Sequence, residues 1–169
     1  IVKNKQQRTH LGADRANEFR IGNGKAEIID FGILDDTGGI VTVLEPGKKY
    51  TVFSKALVFD TFTDNDNIFL AMGITNVKGL ILFWTNTYLH KIRIPFVKKG
   101  SVIEGRFCFT NCLAPGDYFL GFAVRNISEI YDRRPDVLHF KVLPEHTVGQ
   151  ESIVNLSPMV FIKKYDDIL

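Results

Sequence analysis

The chain has 169 residues, 45% of them hydrophobic and 24% charged, with a formal net charge of +2. That size and composition suit one domain with a real core, or one domain plus an arm. The near balance of charge, with no basic stripe interleaved with aromatics, argues against a nucleic-acid partner, and no apolar run approaches the roughly eighteen residues of a membrane-spanning helix.

The chain opens on Ile1 rather than Met and carries no signal-peptide pattern, so it is expected to be a piece of a longer polypeptide. Residues 1–18 are polar without a sustained apolar stripe and read as a linker arm from an upstream domain. The stretch GNGKAEIID (22–30) then invites a phosphate-loop reading. A P-loop requires G-x-x-x-x-G-K-[ST] followed by a helix. Counting back from Gly24, the first glycine falls on Phe19, and the residue after Lys25 is Ala26. The dinucleotide pattern fails as well, because Glu27 stands where its third glycine belongs. The reading that remains is a turn that launches a strand.

Strands are predicted at 26–35, 50–60, 68–76, 80–87, 102–111, 117–125 and 137–143. Between them lie Asp36-Thr-Gly-Gly, Glu45-Pro-Gly, Asp64-Asn-Asp-Asn, Asn76-Val-Lys-Gly, Lys99-Gly, Ala114-Pro-Gly-Asp and Arg134-Pro-Asp. Each supplies a fixed φ or a tolerated positive one. Short strands at this spacing predict an all-β fold, an immunoglobulin-like antiparallel β-sandwich over residues 19–143. The 14 phenylalanines suggest a densely aromatic interior.

Alternation assigns the faces. Tyr118, Leu120, Phe122 and Val124 are expected inside, as are Leu70, Met72 and Ile74, and Leu138, Phe140 and Val142. Residues 80–83 are all apolar and therefore ambiguous. With Ile81, Phe83 and Thr85 inward, Trp84 and Asn86 point out. If these four strands share a sheet, its outer face has a floor of Ala71, Gly73, Gly121 and Ala123. Around that floor stand Thr75, Trp84, Asn86, Phe119, Arg125 and His139, the candidate carbohydrate-binding residues. Small residues let a ligand approach the backbone, and a tryptophan offers a stacking platform beside polar tips that fix hydroxyl groups. The plainer alternative is that these positions are merely solvated, or that Trp84 belongs to the core.

Residues 144–169 form a separate arm. Its Met159-Val-Phe-Ile162 segment is apolar on both faces and is expected either to close its own sandwich or to be exchanged with a partner in a homodimer.

No catalytic constellation is found, and neither a metal nor any other cofactor is expected. His10, His90, His139 and His146 lack ligand spacing. DTFTDNDN (60–67) offers hard oxygen ligands, but an EF-hand started at Asp64 would need Gly and Glu where Phe69 and Thr75 stand. Asp60, Asp64 and Asp66 could serve as a glycosidase pair only if burial shifted one of them, and nothing in the sequence points to that. Cys108 and Cys112 are too few for a disulfide framework and, without nearby histidines, make a poor zinc site, so they are expected to be structural thiols in a reducing compartment. Asn126-Ile-Ser and Asn155-Leu-Ser match a glycosylation sequon short enough to arise by chance.

The run GNGKAEIIDFGILDDTG (22–38) resembles the opening strand of the C-terminal domain of the Wzt family, the nucleotide-binding subunits of ABC transporters that export lipopolysaccharide O-antigen. IFLAMGITNVKGLILFWTNT (68–87) resembles that family's central hairpin. LAPGDYFLGFAV (113–124) and DVLHFKV (136–142) are similar to its later strands. Trp84 departs from the pattern, standing where the family usually has a small residue. The resemblance implies a non-catalytic module in the cytoplasm, peripheral at the inner membrane of a Gram-negative bacterium. It would bind the O-polysaccharide near its non-reducing end and present it to the transporter, whose membrane subunit it meets through the upstream ATPase domain. A dimerisation module without a ligand of its own is the alternative.

Overall fold

The computed structural model describes residues 19–144 and Val154. Residues 1–18, expected to be a linker arm, and the segment around 159–162, expected to close the sandwich or to be exchanged, lie outside the described residues. Every strand predicted from alternation and turn chemistry forms: β1 (Ala26–Leu34), β3 (Lys49–Val58), β4 (Phe69–Asn76), β5 (Ile81–Asn86), β6 (Val102–Thr110), β7 (Gly116–Arg125) and β8 (Ile130–Val142). A two-residue strand not foreseen, β2 (Val43–Leu44), runs parallel to β8, and all other pairings are antiparallel.

Two sheets face one another. One has the order β1-β3-β6, the other β2-β8-β7-β4-β5. The four strands expected to share a sheet therefore do so. The fold is an all-β, immunoglobulin-like sandwich. Its core is filled as alternation dictates: Leu70, Met72 and Ile74 from β4, Tyr118, Leu120, Phe122 and Val124 from β7, and Phe140 and Val142 from β8. These meet Ala26, Ile28 and Ile33 of β1 and Val52, Ala56 and Val58 of β3. Phe31 and Phe122 join the sheets with ring centroids 5.2 Å apart, an arrangement aromatic pairs favour. The phenylalanines are not uniformly interior, however, because Phe19, Phe59, Phe83 and Phe96 are exposed.

β8 is the largest correction. Arg134-Pro-Asp, expected to break the chain, lies inside this strand. The register passes from Leu120↔Leu138 to Phe122↔Arg134, so Gly121 faces a bulge at residues 135–137, with Asp136 at φ 47°. A bulge absorbs both the proline, which has no N–H to give, and the left-handed residue. The inner face of this half-strand carries charge rather than hydrocarbon, which hid it from the alternation test. Asp132 accepts hydrogen bonds from Arg20 Nη2 at 2.6 Å, Arg20 Nε at 3.2 Å and the Ile28 amide at 2.7 Å. Arg20 also bonds Glu27 at 2.8 Å, and its bond to Asp132 raises the guanidinium further above its ordinary range. Arg134 lies buried with its guanidinium 4.7 Å from the Phe31 ring centre. Tyr131 packs on Phe62 at 4.9 Å, where burial pushes its phenol up to about 12.

The polar punctuation behaves as turn chemistry predicts. Asn76 Oδ1 accepts from the amides of Lys78 and Leu80, both at 3.0 Å, and Gly79 takes φ 75°, so the β4–β5 hairpin closes on an Asx turn. Within 60–67, Asp64–Asp66 form a single 3-10 turn. There Asp66 accepts from the Thr63 amide at 2.6 Å and its hydroxyl at 2.9 Å, and the amide bond holds its carboxyl below the usual range. Cys108 and Cys112 are free thiols, both exposed, and Cys108 Sγ lies 3.3 Å from the Thr51 hydroxyl. Among the described residues no group of three or more His, Cys, Asp or Glu is arranged to hold a metal ion, and no helix is long and apolar enough to cross a membrane.

Candidate functional site

The outer face of the five-stranded sheet is tiled in rows by the register of β5, β4, β7 and β8. Asn86, Ala71, Ala123 and Arg133 form one row. The next holds Trp84, Gly73 and Gly121, with the bulge at Pro135 and Asp136. The row beyond it is Ile81, Thr75, Phe119 and His139. On the other side, Arg125 pairs Phe69 and Ile130. Four strands spaced about 4.8 Å apart separate Trp84 from the β8 wall by roughly 14 Å. The space between is a groove of about 490 Å³, with Ala71, Gly73, Gly121 and Ala123 in its floor and Thr75, Ile81, Trp84, Arg125, Arg133 and Asp136 around it.

The groove exists because its floor lacks side chains. An added Cβ on Gly73 would meet Trp84 Cδ1 at 3.5 Å and the Phe83 carbonyl at 3.6 Å, ordinary contact. One on Gly121 would sit 3.2 Å from the Arg134 oxygen, the Asp136 nitrogen and Pro135 Cα. Gly73→Ala is therefore expected to change stability by less than about 1 kcal/mol, whereas Gly121→Ala crowds the β8 bulge and is expected to cost about 1–3 kcal/mol. Thermal denaturation of the two variants checks the ordering. Equal melting temperatures would mean that the bulge does not press on Gly121.

The structure places the sequence-predicted residues unevenly. Trp84 is 50% exposed and lies on the groove side, opposite Gly73. Thr85 faces inward as expected, with its hydroxyl 2.9 Å from His90 Nε2. Ile81 does not. A register shift between Ile74 and Thr75 sets Thr75 against Ile81 and leaves Leu82 as the extra residue, so Leu82 packs on the core and Ile81, 60% exposed, lines the groove. Phe83 is also half-exposed, because β5 is the edge strand. Asn86 shares the groove face by register, but it is only 2% exposed and its Oδ1 accepts the Leu89 amide at 2.7 Å. It shapes the turn after β5 and is not presented as a polar tip.

Thr75 donates its hydroxyl to Asp136 Oδ1. Arg125 gives Nε to the Asn126 carbonyl at 2.8 Å and Nη2 to that of Ile127 at 3.1 Å, with its guanidinium carbon 5.8 Å from the Phe69 ring centre. Phe119 and His139 pair with each other at 5.3 Å between rings, and His139 Nε2 lies 2.9 Å from Asp117 Oδ1. They continue the face beyond the groove without lining it. Sequence reasoning missed Arg133, Pro135 and Asp136, whose strand character was masked by the proline and by charged residues on the inner face. The Tyr131-Asp-Arg-Arg run (131–134) following a β-rich segment was the available signal.

A family model described as the Wzt C-terminal domain matches residues 17–156. Among solved structures, the crystal structure of the C-terminal domain of Wzt aligns with TM-score 0.77 at 24% identity, over 88% of this chain and 90% of that one. A Niemann-Pick type C2 protein from the Japanese carpenter ant aligns with TM-score 0.50 at 14% identity, over 76% of this chain and 98% of its own. At these identities the structural likeness establishes the sandwich fold, while the family rests on the sequence match. No curated protein matches the chain. With the family match extending over most of its length and the same sandwich seen in a solved member, the chain belongs to the Wzt C-terminal domain family.

Proposed function

We propose that this domain binds O-antigen polysaccharide in the groove on the outer face of the five-stranded sheet and presents it to an ABC transporter for export. Membership of the Wzt family supports a role in that transporter. The observation that carries the reading is the backbone-lined floor facing an exposed Trp84, a surface on which a sugar ring can lie flat while Thr75, Asp136 and Arg125 meet its hydroxyls. Phe119 and His139 would extend contact along a longer chain. The domain itself is read as non-catalytic. It works on this proposal in the cytoplasm beside the inner membrane, as a homodimer whose two weak sites gain from avidity. Binding near the non-reducing end of the glycan and exchange of the Met159–Ile162 strand belong to the same proposal.

The test is titration of the 169-residue chain with the O-polysaccharide of its source organism and with one of different repeat structure. Selective binding is expected. Trp84→Ala is expected to weaken it about fivefold, the equivalent of roughly 1 kcal/mol for an aromatic contact, with an unchanged melting temperature because the side chain is half in solvent. Equal binding of both polymers, or a collapsed melting temperature without any binding change, would sink this reading.

The β5 edge favours a second reading. Ile81 and Phe83 are exposed beside an edge with no neighbouring strand among the described residues, which suits pairing with another chain. A dimerisation module without its own ligand predicts that groove substitutions are silent in export while charged substitutions at Phe83 are not.

A further inference from the structure

We propose that the glycan held in this groove carries a singly charged oxyanion, a uronate carboxylate or a phosphodiester, and that Arg133 on β8 is the residue that reads it. This rests on the groove being the polysaccharide site. Two arginines, Arg125 and Arg133, line the groove. Ala123 of β7 pairs Arg133 of β8, and Arg125 lies two residues beyond Ala123 on the same face. A register shift after Val124 sets Arg125 itself opposite Ile130.

Their hydrogen-bonding states differ. Arg125 is anchored through Nε and Nη2 to the carbonyls of Asn126 and Ile127, which fixes its plane and leaves Nη1 without a hydrogen bond among the described residues. Arg133 is exposed, and its guanidinium has no ion pair or hydrogen bond among the described residues, unlike Arg20 and Arg106, which are paired to carboxylates. Its backbone is nonetheless held firmly. The Arg133 amide and carbonyl exchange bonds with Ile21 at 2.7 and 3.0 Å, so an exposed head stands on a fixed strand. Two cations lining one groove repel one another unless an anion lies between them. The guanidinium fork matches a carboxylate or phosphate oxygen pair in two parallel bonds.

The count of charge sets the valence. Asp136 also lines the groove, engaged by the Thr75 hydroxyl, so two positive charges and one negative leave a single positive charge to be met. The opposite wall is Trp84. A sugar stacked there with its acidic substituent toward β8 would use both walls, which a neutral sugar would not.

The experiment uses the 169-residue chain and the O-polysaccharide of the source organism in three forms: untreated, carboxyl-reduced, and freed of phosphodiesters by hydrofluoric acid. The untreated polymer is expected to bind, and one of the two treatments to weaken it about tenfold or more, the scale of a charge-assisted hydrogen bond. Reduction being the damaging treatment identifies a uronate, and dephosphorylation a phosphodiester. Arg133→Gln and Arg133→Ala are expected to cause a similar loss with the untreated polymer and little further loss with the damaged one, at unchanged melting temperature. Binding that survives both treatments and both substitutions overturns the acidic-ligand proposal and leaves the polysaccharide site standing. If the untreated polymer itself fails to bind, the site reading falls and this proposal with it.

Discussion

Gly22→Ala is expected to destabilise the domain by about 3 kcal/mol and to lower its melting temperature by on the order of 10 °C, a large effect for one methyl group. A Cβ at Gly22 would lie 2.2 Å from the Tyr131 carbonyl oxygen, 2.5 Å from its carbon and 2.8 Å from the Asp132 nitrogen. All three are backbone atoms of β8, so no side-chain rotation can make room. The chain from Ile21 to Gly24 is bound to that same backbone. Asn23 donates to Ile130 and Gly24 to Tyr131, both at 3.0 Å, beside the reciprocal Ile21–Arg133 pair. Separating the segments forfeits several hydrogen bonds worth roughly 1 kcal/mol each. Gly24→Ala is the matched control. Gly24 holds φ 77° with nothing within 4 Å of an added Cβ, so it should lose only about 1–2 kcal/mol for left-handed backbone. Urea and thermal denaturation of both variants decide the matter. If Gly22→Ala is no worse than Gly24→Ala, this segment does not lie against β8.

Asp132→Ala is expected to cost a comparable amount, about 3 kcal/mol. Asp132 is 5% exposed and serves three donors, two from Arg20 and one from the Ile28 amide. Removing one partner of a buried ion pair typically costs about 3–5 kcal/mol. The lower end is expected here because the Arg20 side chain keeps 29% exposure and its bond to Glu27. Asp132→Asn retains an acceptor for the Ile28 amide and should lose less. A double-mutant cycle with Arg20→Ala separates the pair from the rest. Additive losses would show that the two side chains do not interact. The same substitution loosens the strand whose outer face carries Arg133 and Asp136, so a weaker groove should accompany the weaker fold.

The family resemblance and the strand pattern were both legible in the residues. Tyr118, Leu120, Phe122 and Val124 announce one buried face by strict alternation, and Gly73 and Gly121 announce a bare patch on the other. The opening GNGKAEIID excluded a phosphate loop by spacing alone, and the strand that follows it is β1. What Gly22 actually accommodates, the close passage of β8, involves residues more than a hundred positions away.

The candidate site was legible in part. Trp84, Thr75 and Arg125 came from alternation, which fixes the face of a side chain wherever a strand keeps its register. It fails at bulges. The shift between Ile74 and Thr75 moved Ile81 into the groove, and the bulge at residues 135–137 admitted a proline to β8 and brought Asp136 to Thr75. Asn86 had the right parity, but its side chain is taken by a turn that closes after the strand.

By itself, then, the sequence determined seven strands and most of their buried faces, because these depend on local periodicity and turn residues, and it pointed to the family through its motifs. Only the tertiary structure decided which rows meet across β5, β4, β7 and β8, that Arg20 locks to Asp132, and that Arg133, its side chain without a partner among the described residues, lines one groove with Trp84. Those outcomes depend on register between distant strands, and register is set where the sheets pack.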